Sequence, residues 1–560
     1  MTMDVSAPRS LRGPEELSRS DRGLLLVLIT MAVIALSLGI VFGAATALLR
    51  SSLADIHPET GYRLMTSHGV TAFFYWLYFA QMAVLLAFSV VYLEQRSTIA
   101  WPAAAWAGSF AMIAGFFSSG AGIFAGSPLL YDGSPELVGD AHGPAFLFYL
   151  GYLLLAIGML VISVSAIATP LRALREGAAR EWSTVTFATV AWAGLTIVTA
   201  FAAFDAFLPA ALWTAWFGAA PSDHAAGWHL LFHNLHYLPL MATVLVWYVA
   251  IETMTGVASI LGSRFSKRIF ALHLFFVPPT SLHHMFLEPN LAASVRVLGS
   301  LLSLLVGVPT VIVFLVMVIS LEATARAGGA RGLFGWLRHL PWRHPAMSAI
   351  GAAVINLALG GVFAFFLIQE KLAPLLSDSF FVPAYFHFLT VGTVTLSLLA
   401  MLMLMLPHLS GRRFWRPSLL TLIPWIVTGG LLLFAAAGIG AGLLGVPRRV
   451  LQIDYDGAAP PHWGWLMLVV GGGAAIMGSA LLVYAYGLLR TLIGATTRDA
   501  RVALEFTSIA SSSPAIHTSG NAWTGPAAIV VLLLGIYGAT TIVFGVMKNL
   551  PVVALGGGAH

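Results

Sequence analysis

Seventeen histidines stand in a 560-residue chain that contains no cysteine. His68, His142, His229, His233, His236, His273, His283, His284 and His387 fall inside or at the mouths of long apolar segments. An ionisable side chain in such a segment is expensive and needs a partner or a ligand. With no thiolate available, disulfides and iron–sulfur clusters are excluded, and imidazole is the natural ligand for copper and for heme iron. Three spacings sharpen this. His233 and Tyr237 are i and i+4, so on a helix they share a face. Adjacent His283 and His284 reach one ion only where the backbone loosens, and Pro278 and Pro279 lie just upstream. Tyr385 and His387 are i and i+2, about 200° apart on a helix, so they address opposite neighbours.

These residues must be positioned by membrane helices. Apolar residues make up 59% of the chain and charged residues only 9%, with a mean hydropathy of +0.88. A soluble domain carries about 25% charge, so a water-soluble enzyme is excluded. The apolar runs are unbroken where a membrane barrel would alternate. The expected fold is all-α and polytopic, with about thirteen spans at 23–50, 64–94, 100–128, 143–169, 183–215, 227–255, 267–288, 293–321, 346–370, 379–407, 418–444, 462–490 and 524–548. Residues 1–22 read as a cytoplasmic tail, 23–550 as one transmembrane domain and 551–560 as an external tail. With the N-terminus inside, 21 of the 28 lysines and arginines fall in inner loops. That bias supports thirteen spans with the C-terminus outside. The net charge of +5 therefore reports topology and not nucleic-acid binding.

In this topology His68 and His233 begin inward-running spans, His283 and His284 end an outward-running one, and Tyr385 and His387 begin another inward one. All five histidines then share one depth, in the outer part of the membrane. Scattered interhelical histidines, the ordinary structural use, would not share a level.

At these residues the sequence resembles subunit I of the heme–copper oxidase superfamily, and is most similar to the B-family (ba-type) cytochrome c oxidases. The resemblance covers nearly the whole chain. It is carried by Ser67-His68-Gly-Val, His233-Asn-Leu-His-Tyr237, Leu282-His283-His284, Gly-Val-Pro309-Thr310, Val-Pro383-Ala-Tyr-Phe-His387 and Val-Pro447-Arg448-Arg449. It implies that His68 and His387 are the axial ligands of a low-spin, b-type heme. His233, His283 and His284 would hold the copper called CuB. Tyr237 would be the tyrosine bonded to the first copper ligand, giving an electron and a proton when the oxygen–oxygen bond breaks. Arg448 and Arg449 would hold heme propionates. Tyr237, Tyr248 and Thr310 would belong to a proton path from the cytoplasm. The implied setting is the inner membrane of a prokaryote. The implied partners are a subunit II for electron entry, since a dinuclear copper needs the cysteines this chain lacks, and cytochrome c or a related external donor.

The chain departs from that family at Tyr385, where a histidine should bind the high-spin heme iron. Three readings stay open: a tyrosinate ligand, a high-spin heme held through water or weakly, or a heme that is absent. Val244, Val313 and Val316 also stand where the proton path expects hydroxyls, unless Thr243 or Ser303 reroute it. The leading function is a respiratory terminal oxidase that reduces dioxygen to water. The alternatives are a nitric oxide reductase on the same fold and a non-catalytic homologue. His142, His339 and His344 read as structural or solvated, and the run Met401–Met405 as packing.

Overall fold

The structure is a computed structural model that describes residues 17–93, 98–126, 128–177, 182–277, 303, 305, 307–369 and 372–494. Among these residues there is no strand, and a single isolated bridge pairs Ser379 with Pro447. Eleven helices are long and apolar enough to cross a membrane. In chain order they are α1 (Arg19–Arg50), α2 (Pro58–Val91), α3 (Pro102–Ala125), α4 (His142–Arg175), α5 (Thr184–Thr214) and α6 (His224–Thr255). After a shorter α7 (Gly262–Phe276) come α8 (Val308–Ala327), α9 (Pro345–Leu367), α10 (Phe381–Ser410), α11 (Pro417–Leu443) and α12 (Pro461–Ile493). Helix α7 opens the seventh expected span, whose remainder from 278 lies outside the described residues, as does the thirteenth span.

The first helix starts four residues earlier than hydropathy suggests, because Ser18 caps it. The Ser18 Oγ accepts from the Asp21 amide at 3.0 Å, and Asp21 sits in the first turn where the helix dipole favours an anion. Neighbouring helices pack in sequence, and α1 closes the bundle against α12 and α2. Small residues set the close crossings. A Cβ at Gly115 of α3 would lie 2.6 Å from the Gly151 carbonyl of α4, and one at Gly122 equally close to the Phe148 amide.

Polar pins then fix the helices that carry the histidines. Trp76 Nε1 donates to Thr395 Oγ1 at 2.9 Å, joining α2 to α10. Trp247 Nε1 donates to Ser397 Oγ at 2.8 Å, joining α6 to α10. Pro239 leaves the Leu235 carbonyl of α6 without its amide, and the Tyr78 hydroxyl of α2 reaches that oxygen at 3.5 Å. Such bonds inside a membrane contribute about 0.6 kcal/mol each on average, so their weight lies in fixing rotation.

Candidate functional site

Two of these helices change form at their histidines. In α2, regular helix runs to Gly69 and π-helix occupies Val70–Tyr75. In α10, regular helix ends at His387 and π-helix occupies Phe388–Thr395. A wider turn directly after each histidine re-aims the ring relative to the helix below it, a frequent device at functional sites.

The two rings face each other. Their centres are 6.1 Å apart and their planes differ by 13°. That is too far for face contact. A metal bound by an imidazole about 2.0 Å away on each side spaces the ring centres by roughly 6 Å, so the pair fits a bis-imidazole iron. Each ring is also held in one tautomer. His68 Nδ1 lies 2.8 Å from the Gly39 carbonyl, and His387 Nδ1 lies 2.6 Å from the Pro383 carbonyl. A carbonyl has no proton to give, so each Nδ1 carries the hydrogen and each Nε2 keeps its lone pair. This backbone bond is the usual support of a ligating histidine.

Both rings open into one cavity of about 1460 Å³. Ordinary ligand pockets hold about 300–1,000 Å³, so this one has room for more than a single small ligand. Its wall includes Arg50, His68, Tyr237, Thr310, Tyr385, His387, Arg448 and Arg449. Tyr385 therefore borders open space, on the side of α10 away from the His68–His387 pair. Phe386 stands between Tyr385 and His387, with its ring 4.5 Å from His236.

On α6, His233 is fully buried, and the Tyr237 ring lies 4.7 Å from it at 45°. His233 Nε2 donates to the Val277 carbonyl at 2.8 Å, which leaves the lone pair on Nδ1. His283 and His284 lie outside the described residues, and among those residues no group of three metal-binding side chains is gathered. Tyr248 sits apart from the cavity, its phenol among the hydroxyls of Ser266, Thr184 and Ser259. Val244, Val313 and Val316 are all buried. His142 is sandwiched by tryptophans, its ring 4.5 Å from that of Trp216. Met401, Met403 and Met405 are buried packing residues.

The arginines meet carboxylates at the cavity rim. Arg448 binds Asp378 Oδ1 at 3.0 Å, and its amide donates to the Asp378 carbonyl. Arg449 binds Asp132 Oδ2 at 3.0 Å and donates to the Tyr131 hydroxyl at 3.2 Å. Burial alone would lower the Arg449 pKa, but Tyr131, Asp132 and Asp378 outweigh it and raise the value above that of an exposed arginine. Its backbone sits at φ +62°, a conformation that non-glycine residues rarely hold.

Sequence reasoning missed three contributors. Arg50, counted only as a topological charge, is 4% exposed and donates to the Pro447 carbonyl at 2.7 Å; its Nε has no hydrogen-bond partner among the described residues. Asp132 as the partner of Arg449 carries no motif. Gly39 and Gly43 of α1 make the seat of His68, and only tertiary contact reveals them. A Cβ at Gly43 would stand 2.5 Å from His68 Nδ1. Gly43→Ala should cost about 1–3 kcal/mol through overpacking and push the ring off Gly39. The check is the low-spin heme spectrum of the purified variant, which should weaken or shift while the helical content stays.

Residues 23–476 match the family described as Cytochrome C and Quinol oxidase polypeptide I. The chain belongs to this family. Chains of the family carry a low-spin heme, a high-spin heme and CuB, and are integral membrane subunits. Among relatives, the chain is 28% identical to cytochrome c oxidase subunit 1 of Thermus thermophilus over 57% of its own length and 58% of that protein's. It is 25% identical to the heme–copper oxidase subunit I+III of Aeropyrum pernix over 49% of its length and 31% of that one's. The chain thus spans less than two thirds of each of these curated relatives. Its fold matches a heme–copper terminal oxidase dimer solved by cryo-EM, with a TM-score of 0.77 and 21% identity, over 93% of this chain and 92% of that one.

Proposed function

We propose that this polypeptide I chain is the catalytic subunit of a respiratory terminal oxidase that reduces dioxygen to water. The observation that carries the oxidase reading is Tyr237, placed 4.7 Å from His233 and on the wall of the same cavity as the paired imidazoles. When bound, the hemes and copper supply electron storage and a reactive site for the gas. The protein's residues do the rest. His68 and His387 would hold the low-spin heme, and two imidazole ligands would suit that iron to electron transfer and keep substrate off it. Arg50, Arg448 and Arg449 would receive heme carboxylates, since among the described residues the ion pairs of these three cations are to Asp132 and Asp378 alone. Tyr385, on the wall of the same cavity, would be the protein ligand of the high-spin heme. His233, with His283 and His284, holds the copper, and the Tyr237 phenol keeps a proton beside it.

Electrons arrive from cytochrome c or a similar external donor through a subunit II, on the face where the arginine pair lies. Residues 1–22 face the cytoplasm in this reading, and the C-terminal tail lies outside.

A second reading, nitric oxide reduction, is favoured by one feature. The α6 face between Tyr237 and Tyr248 carries Met241 and Val244, both fully buried and unable to pass protons. A gas electrode decides between the two. With an artificial electron donor, the purified complex should consume dioxygen faster than nitric oxide. Nitric oxide consumption with negligible dioxygen uptake would replace the first reading with the second.

A further inference from the structure

Beside the apolar stretch on α6, a stripe of α7 that touches both ends of it carries a buried histidine. Tyr237, Met241, Val244 and Tyr248 recur on one face of α6, and the two tyrosines are separated by about 16 Å along the axis. On α7, Ser266, Phe270 and His273 recur at helical spacing, and Val277 at its C-cap continues the stripe. Two contacts turn this stripe toward α6. The Phe270 ring lies 6.0 Å from that of Tyr248, and the Val277 carbonyl accepts from His233 at 2.8 Å. The two contacts run antiparallel, and His273 lies on the same stripe of α7, about one turn from each of them.

His273 is 2% exposed. Among the described residues neither ring nitrogen has a well-formed hydrogen bond, and the carbonyls of Ile269 and Phe270, one turn back, lie near the ring. Leaving a buried polar group in this state is costly. A position with only packing to do would be better filled by phenylalanine or leucine. Below it, the Tyr248 phenol sits among Ser266, Thr184 and Ser259, with Ser266 Oγ donating to Ser259 Oγ at 3.1 Å. Above it lie His233 and Tyr237.

We propose that His273 is a proton-relay residue linking the hydroxyl cluster around Tyr248 to Tyr237. The inference rests on the gas-reducing function proposed above. The imidazole divides the apolar gap into two shorter ones that buried waters span, and its two nitrogens give those waters polar partners. The transfer balances. A proton arriving from the Tyr248 side binds the bare ring nitrogen, and the proton on the other nitrogen leaves toward Tyr237. The ring stays neutral overall with its tautomer reversed, and turning the ring over resets it.

The test measures proton uptake with a pH-sensitive dye, together with heme reduction, in the complete reconstituted enzyme. His273→Phe and His273→Gln should keep both heme spectra and the rate of electron entry into the low-spin heme. Proton uptake should slow by about 10-fold or more, at the low end of what proton-transfer residues supply. Placing an imidazole on the facing helix, as V244H in the His273→Phe background, should restore most of it. Wild-type uptake rates in His273→Gln overturn the relay. That near-isosteric variant decides the matter if His273→Phe fails to fold. A wild-type enzyme that reduces gas without proton uptake from the Tyr248 side also overturns the relay. One that reduces neither dioxygen nor nitric oxide overturns the functional reading, and the relay with it.

Discussion

His387→Ala should abolish the low-spin heme signal and lower turnover by more than about 100-fold. Loss of a residue that merely supports a metal ligand already costs about 10–100-fold, and this change removes the ligand itself. His68→Ala should behave the same way, because the two rings form a single site with centres 6.1 Å apart. The Nδ1–carbonyl bonds to Gly39 and Pro383 show that both rings are oriented by the backbone and not by each other. Either deletion therefore leaves the opposite ring in place with half a site. Helical content should persist, since α2 and α10 stay pinned by Trp76 and Thr395. The check is the optical spectrum of each purified variant. A normal low-spin spectrum in either one removes the assignment.

Tyr385→Phe should remove the high-spin ferric signal and leave the low-spin heme intact. The i, i+2 offset turns Tyr385 away from His387, and it lines the cavity wall with its ring 5.9 Å from that of Phe381. A phenolate ligand stabilises ferric iron and sets a low heme potential. Deleting one oxygen atom removes that ligand with almost no change of volume. Tyr385→His should bring the high-spin heme to an imidazole-bound spectrum and raise dioxygen consumption. An unchanged high-spin heme in Tyr385→Phe would show that tyrosine does not bind the iron.

Much of this site is legible in sequence because membrane helices follow simple rules. Apolar length gives the spans, and the helical period gives the shared face of His233 and Tyr237. Span order puts His68 and His387 at one level, and the structure brings their ring centres to 6.1 Å. What hydropathy does not encode is the local form of the backbone. The π-helical turns after His68 and His387 have no composition of their own, since Val70–Tyr75 and Phe388–Thr395 read as ordinary apolar helix. Gly43 looks like any small residue in a span until the His68 ring is found against it. The start of α1 at Arg19 is set by a serine cap, which a hydropathy window passes over. Arg50 and Asp132 were hidden for another reason. Single charges at span ends are common interfacial anchors, and only the folded chain shows one buried over Phe380 and the other against Arg449.

The central claim is that this chain holds two hemes in different coordination, one between His68 and His387 and one beside Tyr385. The most direct measurement is a combined optical and EPR spectrum of the purified, oxidised protein with its heme content. The account predicts two hemes per chain, one giving a low-spin bis-imidazole signal and one a high-spin ferric signal with phenolate character. A single low-spin heme with no high-spin species, or no heme at all, would contradict it.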